Sequence, residues 1–190
     1  ESSGRTSLAL TFLARRTQEG QVCAWVDVHD TLDPESAAAS GVSLRQLLWV
    51  RCKDAGRAAN SKPWTRLDQA LRAVDLILQT AGFAAVVLDL GSTEAKHAYR
   101  IPLATWFRFR QGVQRSRASL VVLGRESFAQ SSAAVLLECE LENTATQATI
   151  LSGLRFTVRR ERQRFAQSIC RKPSASTWSA MSVWDVERRA

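Results

Sequence analysis

The segment Glu1–Ser7 contains the residue types that bind a phosphate group at the start of a helix. Such a loop needs a glycine turn whose amides face the anion, a helix N-terminus, a cation and a hydroxyl for Mg²⁺. Gly4 supplies the turn and Thr6 the hydroxyl, while Arg5 stands where lysine is usual. The segment predicts a degenerate nucleotide site, with an ordinary helix start as the alternative. Its candidate nucleotide-binding residues are Glu1, Ser2, Ser3, Gly4, Arg5, Thr6 and Ser7.

Asp89 is a candidate for the metal side of the same site, because it ends the apolar run 86–88. A carboxylate at the end of a buried strand can hold Mg²⁺ beside a phosphate loop. If Mg-ATP binds, Asp89 and Thr6 would hold the metal through the nucleotide. The alternative is a buried strand whose last residue caps the following loop. Mg-ATP is the one candidate cofactor.

Hydrophobic periodicity predicts helices and strands that alternate along the chain. This order predicts an α/β fold with a largely parallel, twisted sheet and helices on both faces. We expect a core domain over residues 1–163 and a basic, tryptophan-containing tail over residues 164–190. The predicted helices cover residues 6–17, 65–80 and 103–117, and the predicted strands cover residues 22–28, 47–50, 84–90, 119–123, 133–141 and 154–160.

The composition is that of a chain with a real core, with 45% hydrophobic and 23% charged residues. The net charge is +8, and residues 155–190 hold nine Lys and Arg against three Asp and Glu. This basic end suits a polyanion or an acidic protein surface, or it is a solvated tail. The four cysteines form no C-x-x-C pair, and no apolar run is long enough to cross a bilayer. We therefore expect reduced thiols, a cytoplasmic location and no membrane contact.

The two histidines are too isolated to predict a structural zinc site. His29 stands near Asp27, Asp30 and Asp33, but alternation at the end of a strand would direct these side chains apart. A catalytic or metal cluster of these four residues is therefore disfavoured.

Several motifs resemble the RecA recombinase core in order and spacing. They are the Glu-Ser-Ser-Gly start, the run 20–34 with its Leu-Asp-Pro, the runs 37–42 and 47–50, and Asp89. The resemblance covers about residues 1 to 160 and implies a RecA-like P-loop core. It also implies that Asp33, in the Leu-Asp-Pro signature, is a further nucleotide-binding residue.

This sequence departs from the RecA pattern at the residues that perform chemistry. Arg5 replaces the phosphate-binding lysine, His29 the glutamate that activates water, and Ser36 the tyrosine that stacks on adenine. The segments after Asp89 and Leu123 are too short for the two loops with which recombinases grip single-stranded DNA. The resemblance therefore implies a protein that is not a competent ATPase, and we assign no catalytic residue.

Among RecA relatives, the chain resembles the ImuA-type accessory proteins of damage-induced mutagenesis. The runs 86–91 and 100–110, and Arg171-Lys172-Pro173 followed by spaced tryptophans, carry this resemblance. It implies a non-recombinogenic subunit of SOS-induced translesion DNA synthesis. The implied partners are RecA, an ImuB-type inactive Y-family polymerase and an error-prone C-family polymerase. The alternatives are a DNA-dependent ATPase of DNA repair and a SulA-like cell-division inhibitor.

Basic and aromatic residues mark the candidate partner or DNA surfaces. The helix over residues 103–117 mixes aromatic rings with arginines, a composition typical of interfaces, although a core helix whose arginines reach water is the alternative. Spacing of three between Trp178, Met181 and Trp184 predicts a short helix or docking peptide, or residues that fold back on the sheet edge. The candidate surface residues are Arg108, Arg110, Arg115, Arg117, Arg159, Arg160, Arg162, Arg171, Lys172, Trp178 and Trp184.

Overall fold

The computed structural model describes residues 3–53, 65–91, 93–147, 150–163 and 176–181. They belong to two compact units. One is Leu8–Ala133, and the other combines Glu1–Ser7 with Ala134–Ala190. This division differs from the predicted boundary after residue 163, because the strands that follow residue 133 form a sheet of their own.

The first unit is built on a four-stranded parallel sheet with strand order β2-β1-β3-β4. Its strands are β1 (Val22–Asp27), β2 (Leu47–Arg51), β3 (Phe83–Asp89) and β4 (Ser119–Leu123). Its helices are α1 (Arg5–Gln18, which begins in the other unit), α2 (Pro34–Ala39), α3 (Arg66–Gln79), α4 (Ala95–Ala98) and α5 (Leu103–Ser116), with 3₁₀ turns at Leu44–Gln46 and Gln130–Ser132. No helix among the described residues has the length and apolarity that crossing a bilayer requires.

Helices cover both faces of this sheet, as the alternating pattern predicts. One face packs residues such as Val26, Val86 and Leu88 against α3 and α5. The opposite face packs Trp25 and Val87 against α1 and α2. These five side chains are fully buried. Burial on both faces explains why β1 and β3 are continuous apolar runs in the sequence.

The start of α3 is fixed by a capping box. The Thr65 hydroxyl accepts a hydrogen bond from the Asp68 backbone N–H (3.1 Å), and the Asp68 carboxylate accepts one from the Thr65 N–H (3.1 Å). Two backbone donors that the helix cannot satisfy internally are thereby paired. The helix consequently begins within one residue of its predicted start.

Thr65→Ala is expected to lower the free energy of unfolding by about 1 kcal/mol, because it removes this cap. Ser43→Ala is the matched control, since the Ser43 side chain precedes a 3₁₀ turn without making a capping bond. Urea denaturation of the two variants measures the difference. Equal losses would contradict the assignment of the cap.

Residues 133–141 and 154–160, predicted as the last two strands, do contain strands, but these strands lie outside the parallel sheet. They belong to β5 (Val135–Gln147) and β6 (Ile150–Gln163), which pair antiparallel in a second, three-stranded sheet. Only two residues separate these strands, whereas a parallel connection needs a crossover of a dozen or more. The hairpin is therefore antiparallel.

The third strand of this sheet, β7 (Ser176–Met181), lies in the segment predicted as a tail. It pairs antiparallel with β6, so Trp178 and Met181 are in a strand rather than in the predicted helix or docking peptide. Arg171, Lys172 and Trp184 lie outside the described residues.

Candidate functional site

The predicted phosphate loop is a turn followed by the first residues of α1. Gly4 has a φ of +75°, a left-handed conformation that favours glycine, and Arg5, Thr6 and Ser7 form the first helical turn. That turn contains no acidic residue, so the positive end of the helix dipole is not neutralised there. Ser3 precedes the turn, while Glu1 and Ser2 lie outside the described residues. The local backbone therefore has the predicted form.

The space beside Gly4 is filled by the ring of Phe156, which belongs to the same compact unit. Phe156 lies in the middle of β6 and is 2% exposed. A Cβ atom built on Gly4 would clash with the ring carbons of Phe156. An apolar ring thus packs directly against the glycine turn.

Asp27 is the fully buried last residue of β1, and it organises the loop that follows. Its Oδ1 accepts a hydrogen bond from the His29 backbone N–H (3.2 Å). Its Oδ2 accepts bonds from the Leu32 N–H (2.8 Å) and the Trp49 indole N–H (3.4 Å). A buried carboxylate is tolerated when it is paired in this way. Asp27 is therefore a structural residue that fixes the position of His29.

His29, which stands where the RecA family has a glutamate, shares a hydrogen bond with Thr93. The distance from His29 Nε2 to Thr93 Oγ1 is 3.0 Å, and Thr93 is buried. A general base needs a nitrogen that is within reach of the proton it removes. In this structure the Nε2 atom of His29 is committed to Thr93.

Asp30, next in the loop, forms a two-point ion pair with Arg51. The Arg51 guanidinium donates from Nε and from a terminal nitrogen to the two oxygens of Asp30, and it also stacks on the Trp49 ring at 4.7 Å. The hydrogen bond from Arg51 lowers the pKa of Asp30 below its ordinary value. The exposed Asp30–Arg51 pair therefore stabilises the folded protein above the unfolded-state pKa of Asp30. This stabilisation is lost as the pH falls through the folded-state pKa of Asp30.

Asp33, a predicted nucleotide-binding residue, is the N-cap of α2. Its carboxylate accepts hydrogen bonds from the Ser36 hydroxyl and from the backbone N–H groups of Glu35 and Ser36. The Ser36 hydroxyl contributes most to lowering the pKa of Asp33, followed by the Ser36 N–H. The Leu-Asp-Pro signature thus has a complete local explanation as a helix start with proline in the first turn.

Asp89 ends β3 and is 8% exposed. Its Oδ1 accepts a hydrogen bond from the Gly91 N–H (2.8 Å), as the loop-capping alternative predicts. Asp89 lies opposite Asp27 in the register of the two parallel strands. Asp89, His29 and Asp33 belong to one compact unit, whereas Ser3–Ser7 belong to the other.

The described residues contain no cluster of three or more His, Cys, Asp or Glu side chains that could hold a metal ion. Within the same residues, Cys23, Cys52 and Cys139 are free thiols, and burial raises the pKa of each. A raised pKa keeps these thiols protonated and unreactive.

Helix α5 has a buried aromatic side and an exposed one. Trp106 and Phe109 are buried and contact each other edge to face, as the core-helix alternative predicts. Leu103 and Phe107, one turn apart, are both 47% exposed. Arg108 forms an ion pair with Asp75 of α3 (3.0 Å). Of the other predicted arginines, Arg115 and Arg117 are exposed and Arg110 is half-buried.

The basic residues of β6 alternate between the two faces of the second sheet. Arg159 is exposed and lies opposite Glu138, while Arg160 is half-buried and lies opposite Leu137. Arg162 is in the same strand, opposite Leu136. Arg159 and Arg160 therefore do not form one continuous surface.

Sequence reasoning missed Phe156 and Thr93 and treated Asp27 only as a doubtful ligand. The alternation of Leu154, Phe156 and Val158 indicates a buried face but not what covers it. No local sequence pattern identifies Thr93, because its hydrogen-bond partner His29 lies 64 residues away.

A parallel four-stranded sheet with helices on both faces is consistent with a RecA-like core. Residues 1–94 match the family model of the RecA N-terminal domain. The chain is 37% identical over 89 residues to RecA of Paracoccus denitrificans, and 34% identical over 89 residues to RecA of Colwellia psychrerythraea. Each match covers 47% of this chain and 22% of the RecA protein, so the chain is similar to less than a quarter of those relatives.

Proposed function

We propose that this protein is a RecA-fold binding subunit that acts without turning over ATP. The observation that carries the proposal is the packing of Phe156 against Gly4. A phosphate loop binds its anion through backbone amides that must be open to the ligand. An aromatic ring cannot replace those contacts, and here the Phe156 ring occupies the space beside the Gly4 Cα.

Two further residues support the loss of hydrolysis. Arg5 carries a broad, planar charge in place of the compact ammonium that contacts the β- and γ-phosphates. His29, in the position of the water-activating glutamate, shares its Nε2 hydrogen bond with Thr93. Both changes fall on groups that the reaction needs, while the buried faces of the sheet are intact.

The cellular role we propose is that of an accessory subunit in SOS-induced translesion DNA synthesis in the cytoplasm. By resemblance to ImuA-type proteins, its partners are RecA, an ImuB-type inactive polymerase and an error-prone C-family polymerase. An apolar and basic docking surface on α5 is supported by the exposed side chains of Leu103, Phe107 and Arg115. Arg100, just before the helix, is also exposed. Interfaces are enriched in aromatic residues and arginine.

Single-turnover hydrolysis of ATP, with and without single-stranded DNA, is expected to proceed no faster than the protein-free background. Calorimetric titration of a Mg-ATP analogue is expected to give no heat of binding. RecA serves as the positive control for both measurements. A hydrolysis rate that disappears in Asp89→Ala would contradict the proposal and support a DNA-dependent ATPase.

Leu103→Ala/Phe107→Ala is expected to weaken capture of RecA or of the ImuB-type polymerase at least tenfold in a pull-down, since truncating the side chains at the centre of an interface costs about 2 kcal/mol or more. Leu44→Ala is the matched control, because Leu44 is 45% exposed but lies away from α5 in the sequence. Failure of the wild-type protein to capture either partner would contradict the proposed role.

A further inference from the structure

The outer edge of β5 combines an apolar row with an acidic row. Val135, Leu137 and Leu141 point to one face of the strand and are 41–47% exposed. Glu138 and Glu140 alternate with them, point to the opposite face and are exposed. In the described part of the chain, β5 pairs with β6 on one side and with no strand on the other.

We propose that this edge binds an extended segment of another protein in which apolar residues alternate with arginine or lysine. An unpaired edge offers backbone donors and acceptors to an added strand. The apolar residues of that segment would extend the row of Val135, Leu137 and Leu141. Its basic residues would lie beside the glutamates.

The pairing of β5 with its inner neighbour β6 shows that a strand of alternating apolar and basic residues is complementary to β5. On β6, Phe156 and Val158 lie opposite Leu141 and Cys139, so apolar residues are paired on this part of the face, and Arg160 follows opposite Leu137. On the other face, Arg159 lies opposite Glu138. Cross-strand pairs of opposite charge stabilise a sheet, and the outer edge presents the same residues to a second such strand.

Charge also argues against a second copy of this chain as the occupant. Residues directly opposite in an antiparallel pair point to the same face. Two β5 edges paired with their apolar rows together would therefore bring the rows of Glu138 and Glu140 together. Like charges directly opposite destabilise a sheet. A basic segment avoids this repulsion, because it places opposite charges beside Glu138 and Glu140.

The test uses the full chain and a fluorescent peptide with the sequence of residues 153–161, Gly-Leu-Arg-Phe-Thr-Val-Arg-Arg-Glu, which has the required alternation. Fluorescence anisotropy is expected to show binding that weakens as salt is raised. A peptide with glutamate in place of the three arginines is expected not to bind. Equal binding of the two peptides, or binding of neither, would overturn the proposal.

Glu138→Lys/Glu140→Lys is expected to weaken binding of the basic peptide by about tenfold and to allow binding of the charge-reversed peptide. Glu19→Lys/Glu35→Lys carries the same change in net charge at an exposed position just after α1 and an exposed position of α2, and it is expected to bind as the wild type does. Circular dichroism establishes that each variant is folded. Equal weakening in both variants would show a general effect of charge and would overturn the assignment to β5.

Amide hydrogen exchange locates the bound peptide. We expect slower exchange over residues 135–143 with no acceleration in β6. Faster exchange in β6 would show that the peptide displaces that strand instead of adding to the edge, and would overturn the proposal. So would a concentration-dependent dimer whose β5 amides are protected without peptide.

Discussion

Asp27→Ala is expected to lower the free energy of unfolding by about 3 kcal/mol, because unpaired buried donors cost roughly 1–3 kcal/mol each. The substitution removes the acceptor for the His29 N–H, the Leu32 N–H and the Trp49 indole N–H. Asp27→Asn, which keeps one carbonyl oxygen, is expected to lose less. Urea denaturation measures the loss, and amide exchange over residues 28–32 reports the loosened loop.

Asp33→Ala is the matched control for this prediction. Asp33 also accepts backbone hydrogen bonds in the same loop, but it is exposed, so water can replace the lost acceptor. We expect a clearly smaller loss than for Asp27→Ala. A comparable loss in the two variants would contradict the structural role assigned to Asp27.

Gly4→Ala is expected to destabilise the protein by about 3 kcal/mol, from left-handed strain of roughly 1–2 kcal/mol and from overpacking of similar size. Gly4 has a φ of +75°, and the added methyl group would meet the Phe156 ring. Denaturant unfolding, monitored by a spectroscopic signal from the second sheet, measures this loss of stability.

Gly20→Ala separates the two causes of the Gly4→Ala effect. Gly20 has nearly the same φ, +76°, but a Cβ atom there meets nothing within 4 Å. It should therefore show the strain alone, and the difference between the two variants measures the Phe156 contact. If Gly4→Ala and Gly20→Ala lose the same stability, Phe156 does not pack against the turn.

The elements whose signals are local could be predicted from the sequence. β3 is a continuous apolar run because both of its faces are buried, and its predicted and observed limits differ by one residue. Helix α3 begins where Thr65 and Asp68 form a capping box, and α5 ends at Ser116, within one residue of prediction. Hydrophobic periodicity and helix capping both depend on residues that are close together in the sequence.

The pairing of the last strands could not be predicted in the same way. Alternation of Leu154, Phe156 and Val158 identifies a strand, but it does not state the neighbour or the direction of pairing. The strands also run further than their apolar residues suggested, into polar residues such as Thr144 and Gln147. Backbone pairing in a hairpin sustains this length without a continuous apolar face.

The candidate site was predictable in its residue types but not in their contacts. The glycine turn and Asp89 lie where the motifs place them. His29 and Thr93 are separated by 64 residues, and no local pattern connects them. Contacts of this kind depend on how the whole chain folds.

Phe156 packs against the Gly4 turn although the two residues are about 150 positions apart in the sequence. Closing so long a loop costs conformational entropy, which favourable contacts must offset. During synthesis the turn emerges from the ribosome first. At roughly 5–20 residues per second, it waits on the order of 10 s before residue 156 exists. During that interval the nascent chain carries the turn without the ring that packs against it in the finished protein.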